Sequence, residues 1–188
     1  MNAYTDITQV LKGCREGDSA AIEALVHAYR HHLYRFALSI LHDPVEADEA
    51  TQDSLVTAID KLDTYRREAS FKTWLFAITL NTCRGRLRKR KVREKLLQPL
   101  AALFGRVSHE SAHPEEIAFR NETQVAVWRA INALDEKHRE ILILRYYHDL
   151  GLNDIARIVG LSDRTVRTRL HTAHERLRVL LREEAGLR

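Results

Sequence analysis

The sequence predicts an all-α protein of two small helical domains joined by a flexible linker, the second containing a helix-turn-helix. Three observations carry that reading. Gly and Pro are scarce, at seven and three in 188 residues, and β-branched residues do not alternate with polar ones over strand-length runs. Apolar residues instead recur every three or four positions, the spacing of a helix face. Residues 151–181 then read as two short helices meeting at a tight turn.

In chain order, Asp18 or Ser19 can cap a helix in which Ile22, Leu25, Val26, Tyr29, Leu33, Phe36, Ala37 and Ile40 repeat at helical spacing. It should end near Leu41, because residues 42–44 (His-Asp-Pro) break it. Pro44 can open the next helix, where its missing N–H does no harm. That helix is expected to bury Val45, Leu55, Val56, Ile59 and Leu62. Its first half is acidic, with Glu46, Asp48, Glu49 and Asp53. Such a cluster either complements the positive end of the helix dipole or offers a docking surface to a basic partner. A polar stretch, residues 62–70, follows.

Ser70 can cap a third helix whose core stripe is expected to be Phe71, Leu75 and Ile78, with Trp74 at its edge. Asn81, Arg84, Arg88 and Lys91 share a second face at about 100° per residue. Residues 84–95 hold eight Lys or Arg and one Glu. That density repels itself unless a polyanion lies against it, although a solvated helix end gives the same pattern. The chain thus divides into an N-terminal domain (1–91), a linker carrying Pro99 and Pro114 (92–118), and a C-terminal domain (119–188). In the last, Val125, Trp128, Ile131 and Leu134 restore helical periodicity. A further helix over 135–149 should pack Ile141, Leu142, Leu144 and Tyr146.

The helix-turn-helix closes the series. Ile155, Ala156 and Val159 face inward on its first helix, Ala156 being small enough for a second helix to cross closely. Gly160 accepts the positive φ that ends a helix, Leu161 plugs the turn, and Ser162 caps the second helix, with Asp163 in its first turn. Val166, Leu170, Ala173, Leu177 and Leu180 fall on one side of that helix. Arg164, Arg167, Thr168 and His171 fall on the other, a basic, hydrogen-bonding face with the donors a major-groove helix needs.

Composition narrows the function further. Hydrophobic residues make up 45% and charged ones 30%, ordinary proportions for a soluble globular chain. The net charge is only +4, so the clustering of Arg matters more than the total. The N-terminus lacks a basic segment followed by an apolar run, and no stretch approaches the ~18 apolar residues of a membrane span. A cytoplasmic protein without membrane insertion is expected. Cys14 and Cys83 lie far apart, without zinc spacing, and read as reduced thiols. His27 and His31 have the i, i+4 spacing of a metal pair but no third ligand nearby, so surface histidines and no metal site are expected. There is no phosphate loop, nucleophile elbow or zincin motif, hence no expected catalytic residue or cofactor.

Three segments in series resemble the extracytoplasmic-function sigma factors of bacterial RNA polymerase: ADEATQDSL at 47–55, SFKTWLFAITLN at 70–81 with its Arg-rich tail, and the stretch from Ala133 to Leu181. The resemblance covers nearly the whole chain. It implies core RNA polymerase and promoter DNA as partners, and an anti-sigma factor besides. It implies that Asp48, Glu49, Gln52 and Asp53 engage the polymerase. Asn81, Arg84 and Arg88, with the loop Thr64, Tyr65 and Arg66, would hold the unwound minus-ten strand, and Arg164, Thr165, Arg167, Thr168 and His171 would contact the minus-thirty-five duplex. Gly85 stands where the family often has Asp, and Asp163-Arg164 where many members have a variable residue and Gly. No appended C-terminal domain is expected after residues 183–188. Two alternatives are a helix-turn-helix regulator acting without core polymerase and a nucleic-acid enzyme. The first would bind its site without core; the second needs a metal or a catalytic carboxylate cluster.

Overall fold

The computed structural model describes residues 6–104 and 122–184. They are helical with no strand among them, and the chain divides into two compact units, Met1–Glu110 and Ser111–Arg188.

In the first unit α1 (Ile7–Arg15) leads into α2 (Ser19–Leu41), α3 (Pro44–Asp60), a 3-10 turn (Leu62–Thr64) and α4 (Phe71–Phe104). Side chains written into the sequence start each helix. Asp6 accepts from the Thr8 amide, Asp18 from Ala20, and Asp43 from both Val45 and Glu46, with Pro44 in the first turn of α3. The Ser70 hydroxyl accepts from Thr73 N–H at 3.1 Å to open α4. Helix α1 was not expected from the sequence, although an Asp cap followed by Val10, Leu11 and Cys14 at helical spacing is a legible signal; all three are buried.

The core of this unit is Leu25, Leu33, Phe36 and Ile40 of α2 against Leu75, Phe76 and Leu80 of α4, with the Phe36 and Phe76 rings stacked at 4.8 Å. Helix α3 joins them by a face of small residues. Ala47, Ala50, Thr51, Ser54 and Ala58 are fully buried, and the Thr51 and Ser54 hydroxyls donate to the carbonyls of Ala47 and Ala50. Such a face lets backbones approach closely while leaving no buried hydroxyl unpaired.

This corrects the expected stripe of α3. Leu55 and Leu62 are buried, but Val45 and Val56 are 67% and 59% exposed. At about 100° per residue they lie opposite the alanines, and side-chain size misled the hydropathy reading. The stripe of α4 is also displaced. Phe71 and Leu75 are buried and Ile78 only partly so, while Phe76, Thr79, Leu80, Cys83 and Leu87 line the buried face. Helix α4 continues past Lys91 to Phe104, inside the stretch read as linker. Val92, Leu96 and Leu97 are exposed on this extension, and residues 105–118 lie outside the described residues.

The second unit contains α5 (Glu122–Ala133), α6 (Glu136–Leu142), a π-helical turn (Ile143–Tyr147), α7 (Leu152–Val159) and α8 (Asp163–Glu184). Leu134, Leu142 and Ala173 form a cluster covered by Leu170, Leu177 and Leu180. The continuous packing expected for 135–149 is interrupted at the π-turn, where His148 N–H donates to Ile143 C=O. One extra residue in that turn rotates the neighbouring residues off the 3.6 register, so Ile143 and Leu144 are buried but Tyr146 points outward. Its hydroxyl meets His174 Nε2 at 2.8 Å.

Candidate nucleic-acid interface and acidic docking face

The helix-turn-helix is closed by local chemistry at each joint. Gly160 ends α7 at φ +73°, and its neighbour Leu161 donates to the Ala156 carbonyl at 2.9 Å. Ser162 Oγ accepts from the Thr165 amide and lies 2.9 Å from the Thr165 hydroxyl. On α8, Val166 and Ala173 are fully buried and Ala156 of α7 nearly so, the close crossing that small residues permit.

Asp135 ties the other end of α8 to α6. It caps α6 through the His138 amide, meets His138 Nδ1 at 2.5 Å and accepts from Arg176 Nη1 at 2.8 Å. Burial alone would raise the Asp135 carboxyl, but its hydrogen bonds with His138 outweigh that and hold it below the usual carboxylate range.

The opposite face of α8 is open. Arg164, Arg167, Thr168 and His171 are exposed. The side chains of the two arginines and His171 make no hydrogen bond or ion pair among the described residues. Thr168 donates to the Arg164 carbonyl at 3.1 Å, which leaves its oxygen free to accept. Thr165 is partly covered and its hydroxyl is engaged with the cap. Of the five residues expected to contact the duplex, Arg164, Arg167, Thr168 and His171 are thus exposed on one face of α8, and Thr165 is drawn into the helix cap.

In the first unit the Thr64–Arg66 loop is seated on α4. The Tyr65 ring lies 5.4 Å from both Phe71 and Trp74, and its hydroxyl donates to the Ala69 carbonyl at 2.8 Å. Trp74, Asn81 and Arg88 are spaced by seven residues, so the loop sits at the start of the α4 face carrying Asn81, Arg84 and Arg88. Arg66, Asn81 and Arg88 are exposed, and Arg84 is partly covered. The structure brings these expected residues together as a cationic face with an aromatic platform at one end, the combination that holds single strands.

The acidic residues of α3 are held differently. On the helical wheel Asp48, Gln52, Val45, Val56, Glu49 and Asp53 span the face opposite the buried alanines. Asp48 at one edge accepts from Arg30 of α2 at 3.0 Å and from Gln52 at 2.7 Å. The Arg30 hydrogen bond is the main reason its carboxyl is held below the usual range. At the other edge Arg86 of α4 donates from Nη1 to Glu49 Oε2 at 2.6 Å and from Nη2 to Asp53 Oδ2 at 2.5 Å. Burial would lower the Arg86 pKa, but the bonds to Asp53 and Glu49 outweigh it and raise it. Sequence reading singled out Arg84 and Arg88 and missed Arg86, which is the residue that crosses to α3. His27 and His31 are exposed on α2, and no cluster of metal-ligating side chains occurs among the described residues.

Two helical units, one bearing a helix-turn-helix and the other a basic, aromatic-edged helix beside an acidic one, define a DNA-binding transcription protein. Residues 25–93 match the Sigma-70 region 2 family and residues 124–177 the Sigma-70 region 4 family. The chain is 30% identical to the RNA polymerase sigma-H factor of Pseudomonas aeruginosa over 184 residues, 93% of this chain and 95% of that one. It is 27% identical to the ECF RNA polymerase sigma factor SigW of Bacillus subtilis, over 94% and 97% of the two chains. Among solved structures it is similar to the sigma factor RpoE of Bartonella quintana in complex with the anti-sigma factor NepR, with a TM-score of 0.66, 26% identity and coverage of 85% and 96%. The chain belongs to the extracytoplasmic-function sigma factors of bacterial RNA polymerase: it is a non-enzymatic, polymerase-binding, promoter-specific initiation factor. No helix among the described residues is long and apolar enough to cross a membrane.

Proposed function

We propose that the N-terminal domain (1–91) docks on core polymerase through the outward face of α3, with Asp48, Glu49, Gln52 and Asp53 as its polar contacts, and melts the minus-ten element along α4. Asn81, Arg84 and Arg88 hold the displaced strand by its phosphates, and a base stacks at the Thr64–Tyr65–Arg66 loop. The C-terminal domain (119–188), beyond the linker at 92–118, reads the minus-thirty-five duplex with Arg164, Arg167 and His171, assisted by Thr165 and Thr168. An anti-sigma factor holds the protein inactive in the cytoplasm, as the complex of the RpoE relative suggests.

The observation that carries this reading is the contrast between the two charged surfaces. The α3 carboxylates have arginine partners within the fold, while Arg88, Arg164 and Arg167 have none among the described residues. Unpaired guanidinium groups on a helix face are what a phosphate backbone neutralises. The test is in-vitro transcription with core polymerase, with permanganate footprinting of the melted region. Arg84→Ala/Arg88→Ala should reduce opening and flatten its salt dependence more than it reduces closed-complex binding. Normal opening by that variant would overturn the α4 assignment, and specific promoter binding without core would favour a regulator of another kind.

A further inference from the structure

We propose that Arg86 is a positioning residue for polymerase docking: its guanidinium holds Glu49 and Asp53 in the side-chain conformations that core polymerase binds, without itself touching the polymerase. The inference rests on the docking role proposed for the outward face of α3.

Three features of the geometry carry it. Glu49 and Asp53 are four residues apart on one helix, where like charges repel and long side chains are free to spread. The Arg86 fork takes one oxygen of each, at 2.6 and 2.5 Å, and so fixes both carboxylates with a single planar group. The second oxygens, Glu49 Oε1 and Asp53 Oδ1, accept no hydrogen bond among the described residues and remain available to a basic partner. The exposures run in the order such a support requires. The Arg86 side chain is 23% exposed against 56% and 58% for the two carboxylates, so a docking surface reaches the acids before the arginine. Arg86 reaches α3 from α4, 37 and 33 residues away in sequence.

A solvent-facing ion pair contributes little to stability, so the effect of this fork is expected mainly in binding. Two carboxylates already ordered in the free protein do not lose their rotamer freedom on association. Arg30 orders Asp48 at the other edge in the same manner, but with one bond to one acid. Lysine at position 86 would keep the charge and lose the fork.

The experiment is a double-mutant cycle on affinity for core polymerase, measured with the full chain at a temperature where circular dichroism shows every variant folded. Arg86→Met should weaken binding about tenfold, and Glu49→Gln/Asp53→Asn should weaken it at least as much. Combining all three changes should add nothing to the loss, because Arg86 then has nothing to hold. Arg86→Lys should recover only part of the affinity. Equal losses from Arg86→Met with and without the carboxylates would overturn the proposal, since they would mean a direct contact or a general effect on the unit. Unchanged or tighter binding by Arg86→Met while Glu49→Gln/Asp53→Asn is weakened would overturn it while leaving the docking face intact. Wild-type affinity of Glu49→Gln/Asp53→Asn would overturn the docking reading itself.

Discussion

Gly85 sits inside α4, between Arg84 and the Arg86 that crosses to α3, and replacing it with Ala should stabilise the N-terminal unit. A glycine in a helix interior costs about 0.5–1 kcal/mol relative to alanine, because the unfolded chain has more freedom to lose. The gain is realised only if the new methyl fits. At Gly85 a built Cβ meets nothing nearer than Arg88 Nη2, at 4.0 Å, and the backbone is not left-handed. No steric term opposes the entropic one, so the full gain of about 0.5–1 kcal/mol is expected. For a unit of roughly a hundred residues that corresponds to a rise in Tm of about 2–8 °C. Scanning calorimetry of the full chain reads it in the transition of the N-terminal unit, and transcription from a strong promoter should be unchanged. An unaltered or lowered Tm would refute the reasoning, because it would mean that the folded protein uses the flexibility of Gly85 or packs another group against it.

The exposed valines of α3 give a second expectation: Val45→Ser/Val56→Ser should leave Tm almost unchanged while weakening core binding, checked by melting and by titration of core polymerase, whereas a large fall in Tm would return both residues to the core. On α8, Val166→Ala should lower the stability of the C-terminal unit by about 2 kcal/mol, through lost burial and the cavity left behind, with no change of promoter preference. Arg167→Ala should cost about 1–3 kcal/mol only on promoters carrying its preferred base, as read from transcription of a library randomised in the upstream element; uniform weakening would make Arg167 a phosphate contact. Asp135 has a folded pKa below its unfolded one, so its contribution is present above about pH 4 and is lost as pH falls through the folded value. Asp135→Asn should therefore be less stable than wild type in urea at about pH 7, and the difference should shrink steadily as pH falls below about 4; a gap that stays constant over that fall would contradict the linkage.

Local signals in the sequence were strong enough to place most helices. Asp18, Pro44, Ser70, Gly160 and Ser162 act within a few residues of themselves, and their caps and stops are found where the sequence puts them. The open face of α8 was legible for the same reason, since a helical wheel needs only the spacing. The illegible parts depend on neighbours. The alanines of α3 carry little hydropathy, so only the closeness of α2 and α4 reveals them as the buried side and throws Val45 and Val56 outward. The π-turn at Ile143–Tyr147 adds a residue that no periodicity announces, and it releases Tyr146. Arg86 looked like one basic residue among eight, and its role becomes visible only when α4 is laid beside α3. The basic run after Leu87 read as the last turns of a helix ending at Lys91, either laid against a polyanion or solvated, because nothing in the sequence offers it a core, yet the backbone continues to Phe104.

That continuation has a thermodynamic consequence. At about 1.5 Å per residue, the 34 residues of α4 span about 51 Å, with its buried side chains near the start and every side chain of residues 91–97 facing solvent. Protection of its amides against hydrogen exchange should therefore grade along a single rod, from global unfolding at Leu80 to local fraying near Leu97. Like charges crowd that fraying end, and a strand of phosphates laid along it would relieve their repulsion. The exchange front would then move toward the C-terminal end, and helix length in solution becomes a gauge of whether nucleic acid is bound.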